Sequence, residues 1–180
     1  NRGIGLEFTR QYAADGWRVL ATCRNPIEPG ELSTITGDIQ VHGLDVTNDH
    51  QVKRLANELS ENSVDILINN AGIYGPRSMV AEAMDYAAWE EVLRVNTLSP
   101  LRISSAFADH VVKSQMKKII TISSVMGSIS KIDSGGEYIY RSSKAALNMV
   151  MHSFAHAMTI RKVIVAMFHP GWVKTDMGGT

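Results

Sequence analysis

Short apolar runs of strand length alternate along this chain with longer segments in which apolar residues recur at helical spacing. Such runs, rich in Val, Ile and Leu and followed by turn residues, are typical of buried parallel strands. We predict strands at Arg18–Cys23, Gln40–Val46, Asp65–Asn69, Lys118–Ser123 and Val163–Phe168. The predicted helices are Ile4–Ala14, Asn48–Glu61, Tyr86–Val112 with an interruption, and Tyr140–Met158. The alternation predicts an α/β fold, a Rossmann-type doubly wound parallel sheet with helices on both faces.

Local signals support these boundaries. In the second helix Val52, Leu55, Ala56 and Leu59 recur at helical spacing, and Thr47 or Asn48 can serve as its N-cap. Two segments rich in turn residues, Asn25–Gly30 and Met126–Glu137, are predicted to be loops.

The chain has 180 residues, 44% of them hydrophobic, which predicts one domain spanning residues 1–180. Eighteen basic residues balance eighteen acidic ones, so charge favours a small-molecule partner over nucleic acid or a membrane surface. A lone cysteine, Cys23, fits a reducing compartment, and we expect a cytoplasmic protein. The chain starts without Met and stops just after a motif, so we expect both ends to be truncated and the first strand to be missing.

The chain opens with Arg2, Gly3, Ile4 and Gly5 directly before a predicted helix. Glycines there let the backbone approach a pyrophosphate, and a helix N-terminus offers free N–H donors. A bare Gly-x-Gly is more often an ordinary turn, so this motif needs support from the rest of the chain.

Small polar residues follow two predicted strands at the edge where parallel sheets bind ligands. Asn69-Asn70-Ala71-Gly72 follows the third strand, and Ser123-Ser124 ends the fourth. Taken alone, the first segment can be a plain turn, and a serine at a strand end is usually only a cap.

Tyr140 and Lys144 are four residues apart on a predicted helix, so both side chains lie on one face. A phenol has a pKa of about 10, and a nearby ammonium would lower it toward the working range of an acid–base catalyst. By itself this pair is more often an exposed helical pair.

Asn96 and Pro100 predict a kink in the long third helix. Proline has no N–H to donate to the carbonyl of residue 96, so that carbonyl needs another partner, such as water or a buried lysine. Placed near Lys144, the carbonyl would belong to a proton route to solvent.

In order and spacing these residues resemble the short-chain dehydrogenase/reductase family across essentially the whole chain. The segments Gly135–Arg141 and His169–Gly179 are most similar to the subgroup that contains the bacterial C-factor signalling protein and the insect carbonyl reductase Sniffer. The further matching motifs are Arg2–Gly5, Asp45, Asn69–Gly72, Asn96, Ser124, Tyr140 with Lys144, and Pro170-Gly171-x-Val173-x-Thr175.

The resemblance implies a catalytic tetrad. Tyr140 would protonate a carbonyl oxygen that Ser124 orients, and Lys144 would bind the nicotinamide ribose and activate Tyr140. Asn96 would hold a relay water. The loop from Ser124 to Tyr140 is longer than the usual family spacing, which leaves Ser123 and Ser128 as alternatives.

The resemblance also implies a cofactor site. Asp45 with Val46 would contact the adenine, Asn70, Ala71 and Gly72 the adenosine side, and Val173 and Thr175, on the Pro170-Gly171 segment, the carboxamide.

The choice of cofactor can be argued from charge. NAD-binding folds place an acidic residue at the end of their second strand, where it would repel a 2′-phosphate. With the first strand expected to be missing, that second strand is Arg18–Cys23 in this chain. This chain has Cys23 and Arg24 there, and Arg2 adds a second guanidinium, so we expect NADP(H) to be favoured over NAD(H).

The leading functional hypothesis is therefore reduction of a small aldehyde or ketone. The alternatives are an NAD(P)-binding signalling or sensor protein of the C-factor type and, less favoured, a sugar-nucleotide epimerase. No metal site is expected, because His152 and His156 share a helical face without a third ligand. The resemblance also implies a homodimer or homotetramer that pairs through the two long helices.

Overall fold

The computed structural model of the chain describes residues 1–77, 80–175 and 177–178. Its helices are α1 Gly3–Ala14, α2 Asp49–Glu58, α3 Tyr86–Leu93, α4 Ser99–Ala106, α5 Ala108–Lys113 and α6 Tyr138–Met158. Its strands are β1 Val19–Cys23, β2 Ile39–Gly43, β3 Ile66–Asn69, β4 Lys118–Ile122 and β5 Ile164–Phe168. A π-helical segment, Arg94–Leu98, joins α3 to α4, and short 3₁₀ turns lie in the remaining connections.

All strand pairs are parallel, as the apolar runs predicted. β1 pairs with β2, and β4 lies between β3 and β5. Asn69 at the end of β3 is opposite Thr121, and Ile122 at the end of β4 is opposite Phe168. The carboxyl ends of three strands therefore meet at one edge, and the Rossmann-type α/β class is confirmed.

Each group of helices packs on the strands through its own apolar core. Leu147 and Met151 of α6 pack with Ile119 of β4, and all three are almost completely buried. Val52 and Leu55 of α2 belong to a second core, and Leu6 of α1 packs with β1 in a third. The helical spacing seen in the sequence thus marks the buried faces.

Several predicted boundaries move by one to three residues. β2 ends at Gly43 rather than Val46, because Asp45 leaves the sheet: its carboxylate accepts from the Thr47 N–H and hydroxyl, at 2.9 and 2.7 Å, and its own N–H donates to Gln51. The N-cap of α2 is Asn48, whose side chain accepts from the Gln51 N–H. α6 begins at Tyr138, two residues before the prediction.

The predicted interruption of the long third helix is a π-helical segment. Across Arg94–Leu98 the ladder shifts by one residue, so that the Ser99 N–H and hydroxyl both bond to the Arg94 carbonyl. Pro100 follows in the first turn of α4, where no N–H is needed. The helix is divided again at Phe107 before α5. Proline therefore changes the helix type rather than ending it.

Candidate active site

The glycine turn at the start of α1 lies against the segment that follows β3. Gly3 has a φ of +53°, and a Cβ on Gly5 would come within 2.6 Å of the Asn70 side-chain nitrogen. Any larger residue at position 5 would therefore displace Asn70. Glycine at position 5 thus allows the close approach of two loops, which brings the two predicted cofactor motifs together.

A cleft of about 720 Å³ opens at this edge and extends through the sheet to the amino ends of β1 and β3, where Arg18 and Asp65 also line it. Among the described residues, fifteen of the predicted cofactor residues line it: Arg2, Gly3, Ile4, Gly5, Cys23, Arg24, Asp45, Val46, Asn70, Ala71, Gly72, Tyr140, Lys144, Pro170 and Thr175. Gly171 and Val173 do not line it, and neither do Asn96 and Ser124. The cleft continues between β1 and β3, which no described strand joins.

Tyr140 lies in the first turn of α6 with only 8% of its surface exposed. Burial raises the pKa of its phenol, and a hydrogen bond with the Ser124 side chain opposes that rise. The hydroxyl of Ser123 instead donates to Asn148 at 2.6 Å, and that of Ser128 pairs with Ser130 on the surface. Among the three serines that the long loop left open, Ser124 is the one that contacts Tyr140.

Lys144 lies one turn further along α6 and is 5% exposed. Its ammonium donates to the Ile122 carbonyl at 2.9 Å and is 5.7 Å from the centre of the Tyr140 ring. Burial lowers the pKa of Lys144 to about 8. The expected lowering of the Tyr140 pKa by Lys144 is not seen, because burial raises that pKa and the influence that opposes the rise comes from Ser124.

Asn96, in the π-helical segment, is 1% exposed and ties the segment after β3 to α6. Its side-chain oxygen accepts from the Ile73 N–H at 2.9 Å, and its nitrogen donates to the Ile73 carbonyl and to the Ser143 hydroxyl. The neighbouring Thr97 hydroxyl donates to the Ser143 carbonyl. Asn96 therefore fixes the wall of the cleft from behind, and its role toward a relay water stays a prediction.

Asp45 and Arg24 lie at the other end of the cleft. Hydrogen bonds from Thr47 lower the pKa of Asp45, and the charge of Arg24 adds to this effect. Cys23 is buried and contacts the Asn25 carbonyl, whereas Arg24 is exposed. The residue directly after β1 is therefore a cation, Arg24, and not a carboxylate.

Sequence reasoning missed three residues, Tyr74 beside Tyr140 and two neighbours of Tyr74. The Tyr74 ring stacks on the Tyr140 ring, with centroids 4.3 Å apart and planes 12° from parallel. The Arg77 guanidinium lies 4.2 Å from the Tyr74 ring centre, and Glu137, just before α6, faces the Tyr74 hydroxyl. The sequence carries one signal that could have identified Tyr74, its position two residues after Gly72 of the Asn-Asn-Ala-Gly motif.

The described residues contain no group of three or more His, Cys, Asp and Glu side chains placed to hold a metal ion. The ring nitrogens of His152 and His156 are 3.3 Å apart on the exposed face of α6. Among the same residues, no helix is long and apolar enough to cross a membrane.

Comparison with known proteins identifies the family. The model of the short chain dehydrogenase family matches residues 1–180. The C-signal protein of Myxococcus xanthus is 37% identical over 128 residues, which cover 71% of this chain and 76% of that protein.

Comparison with solved structures supports the same family. The NADPH-bound carbonyl reductase from chicken fatty liver is 34% identical, with a TM-score of 0.86, over 99% of this chain and 79% of that one. The carbonyl reductase Sniffer of D. melanogaster is 29% identical, with a TM-score of 0.87, over 99% and 79% of the two chains. The chain therefore belongs to the short-chain dehydrogenases, a family of NAD(P)-dependent oxidoreductases. Its resemblance to the subgroup of the C-signal and Sniffer proteins is confirmed.

Proposed function

We propose that the protein reduces an aldehyde or ketone to an alcohol with NADPH, using Tyr140 as the proton donor. The observation that carries the proposal is a buried phenol in contact with a serine hydroxyl, with a lysine one turn away, at one end of a cleft lined by nucleotide-binding motifs. Reduction of a carbonyl adds a hydride to its carbon and a proton to its oxygen, so a site that holds a hydride donor and a proton donor is sufficient for the reaction.

The residues of the cleft fit a dinucleotide. The α1 N-terminus and its glycines leave room for a pyrophosphate, and Arg2 and Arg24 supply guanidinium groups for phosphate oxygens. Asp45 and Val46 would hold the adenine, and Thr175 the carboxamide, whereas Val173, the other residue expected at the carboxamide, does not line the cleft. When bound, NADPH supplies the hydride.

The chain's own side chains would handle the proton. Tyr140 would pass its hydroxyl proton to the carbonyl oxygen, while Ser124 fixes the position of that oxygen. The phenolate that remains is buried, so a positive charge nearby would stabilise it. Lys144 would supply that charge, since its pKa of about 8 keeps it mainly protonated at neutral pH.

The preference for NADPH over NADH is part of the proposal. Arg24 and the absence of a carboxylate directly after β1 support it, as does the NADPH bound to the carbonyl reductase from chicken fatty liver.

We also propose a homodimer or homotetramer that pairs through α6 and the α3–α5 helices. Met149, 70% exposed on α6, supports this surface. Sedimentation of the intact protein as a monomer at micromolar concentration would contradict the oligomer.

A second candidate function is supported by the 37% identity to the C-signal protein. In that case the protein would bind NAD(P) and serve in signalling without needing turnover. The test is NADPH oxidation by the intact protein with a panel of aldehydes and ketones, beside a binding titration of NADPH. Turnover with any carbonyl supports the reductase, whereas tight NADPH binding with no turnover across the panel supports the signalling function.

A further inference from the structure

The geometry points to Tyr74 as a positioning residue that holds the ring of Tyr140 in the orientation needed for proton transfer. The inference rests on the proposed function, because it assigns Tyr74 a role toward the proposed acid.

The two rings face each other nearly flat, at 4.3 Å between centroids and 12° between planes. The hydroxyl oxygen lies on the long axis of the ring, so rotation of the side chain about its Cα–Cβ bond, and not a flip of the ring about that axis, moves the hydroxyl away from Ser124 and from a bound carbonyl. A second ring in van der Waals contact blocks that rotation on one side. Tyr140 is thus confined by Tyr74 in addition to its own helix.

Tyr74 is itself held by its neighbours. The Arg77 guanidinium lies 4.2 Å from its ring centre, and the same guanidinium donates to the Met177 carbonyl at 2.7 Å. The Tyr74 hydroxyl contacts the Met126 sulfur at 3.8 Å and faces the Glu137 carboxylate, one oxygen of which is buried without a hydrogen-bond partner among the described residues. A ring held at its face and at its hydroxyl is a rigid support for Tyr140.

Glu137 reaches this position through a backbone conformation that is uncommon for its residue type. Its φ of +52° lies in the left-handed region, immediately before α6 begins at Tyr138. Such conformations persist where the surrounding structure requires them, and they cluster at functional sites. The turn therefore directs the carboxylate toward Tyr74 and starts the helix that carries Tyr140.

Tyr74 is a support and not a second acid. Burial and the Glu137 carboxylate raise its pKa to about 12, so its proton is held firmly. The groups that face Tyr140 are Ser124, Lys144 and Tyr74, whereas Arg77 and Glu137 face Tyr74. The chemistry is thus assigned to one tyrosine and its orientation to the other.

The test compares Tyr74→Leu with Tyr74→Phe in the intact protein, using carbonyl reduction with NADPH. We expect Tyr74→Leu to lower kcat by roughly tenfold to a hundredfold, the cost of a small misplacement of a reacting group. Tyr74→Phe keeps the flat ring and should stay within about threefold of the unmodified protein. The matched control is Tyr86→Leu, which removes a tyrosine that stacks on Trp89 away from the cleft.

Two further readouts separate positioning from general damage. Loss of the Tyr74 ring exposes Tyr140 to water, so the alkaline limb of the kcat–pH profile should move to lower pH in Tyr74→Leu. In the double variant with Tyr140→Phe, Tyr74→Leu should add almost nothing to the loss already caused, because it acts through Tyr140. Should Tyr74→Leu fail to fold, Tyr74→Met replaces it, since a flexible side chain fills the space without a flat face.

Unchanged kcat and pH profile in Tyr74→Leu, or a loss that multiplies with that of Tyr140→Phe, would overturn the inference. So would a loss in Tyr74→Phe as large as in Tyr74→Leu. Failure of the proposed function is a separate result, seen when the unmodified protein reduces no carbonyl or when Tyr140→Phe is fully active.

Discussion

The two ends of the cleft are built in different ways. At one end, the acid end, Asn96, Ser124, Tyr140 and Lys144 are tied by hydrogen bonds and ring contacts that join the β3 loop, the π-helical segment, the β4 end and α6. At the other, the phosphate end, Arg2 and Arg24 are exposed beside the Gly3–Gly5 turn.

The difference reflects what each end has to do. A proton donor must be aligned within a few tenths of an ångström, and its charge must be controlled by burial, so it needs neighbours from several elements. A phosphate group is charged, so exposed guanidinium groups can bind it without such precise alignment. Substitutions should therefore have large effects at the acid end and small effects at the phosphate end.

The largest effect is expected for Tyr140→Phe. It keeps the ring and its stacking on Tyr74 but removes the proton, so carbonyl reduction should fall by roughly 10²- to 10⁴-fold, with NADPH binding retained. The control is Tyr138→Phe, because Tyr138 is 42% exposed and has Ser142, not Lys144, four residues on. Steady-state rates and a fluorescence titration of NADPH measure both. Near-normal reduction by Tyr140→Phe would refute the mechanism.

Asn96→Ala tests whether the acid end depends on buried hydrogen bonds. It leaves the Ile73 N–H and carbonyl, which are partly buried, without their partner, and each lost hydrogen bond of this kind costs about 1–3 kcal/mol. The free energy of unfolding in urea should fall by about 3 kcal/mol. Asn57→Ala, at an exposed position of α2, should change it by less than about 0.5 kcal/mol. Equal effects of the two variants would show that Asn96 does not hold the cleft wall.

Lys144 adds a dependence on pH to the stability of the cofactor-free protein. Its pKa falls from 10.5 to about 8 on folding, so between these values the unfolded chain binds more protons and stability rises with pH. Between pH 7.5 and 9.5 we expect this lysine to contribute a rise of about 1–2 kcal/mol in the free energy of unfolding, since one pKa unit corresponds to about 1.4 kcal/mol. Lys144→Met should remove that rise. Urea unfolding at both pH values measures it, and the same slope in both proteins would contradict the assigned pKa.

How much the sequence could predict differs between the two ends. The strands followed from short-range patterns, because each depends on residues a few positions away, and Gly3, Asn70 and Tyr140 followed only from the order and spacing of several motifs in the family resemblance. The partner of Tyr140 did not, since three serines fitted the spacing and only packing of the β4 end on α6 selects Ser124. Tyr74 lies 66 positions before Tyr140, and no periodicity relates two rings that meet only in the folded chain.

The π-helical segment shows the same limit in a local feature. Pro100 predicted a kink and a free Asn96 carbonyl, which follows from the missing N–H alone. The observed ladder shift also depends on the Ser99 hydroxyl, which donates to the Arg94 carbonyl at 2.8 Å, and on Asn96 being held by Ile73 and Ser143. Local chemistry gave the site of the irregularity, and tertiary contacts decided its form.

The smallest effect on the rate of reduction is expected at the phosphate end, for Arg24→Asp. The substitution places a carboxylate after β1, where it would repel a 2′-phosphate and accept hydrogen bonds from free ribose hydroxyls. The ratio of the NADH to the NADPH dissociation constant should fall by roughly tenfold to a hundredfold, with kcat changed by less than about threefold, because an exposed charge affects binding and not proton transfer. Arg161→Asp, at a partly exposed arginine paired with Asp109 away from the cleft, is the matched control and should leave the ratio unchanged. Tighter binding of NADH than NADPH by the unmodified protein would reverse the assignment of the cofactor, and a fall in kcat as large as that of Tyr140→Phe would show that the two ends are not separable.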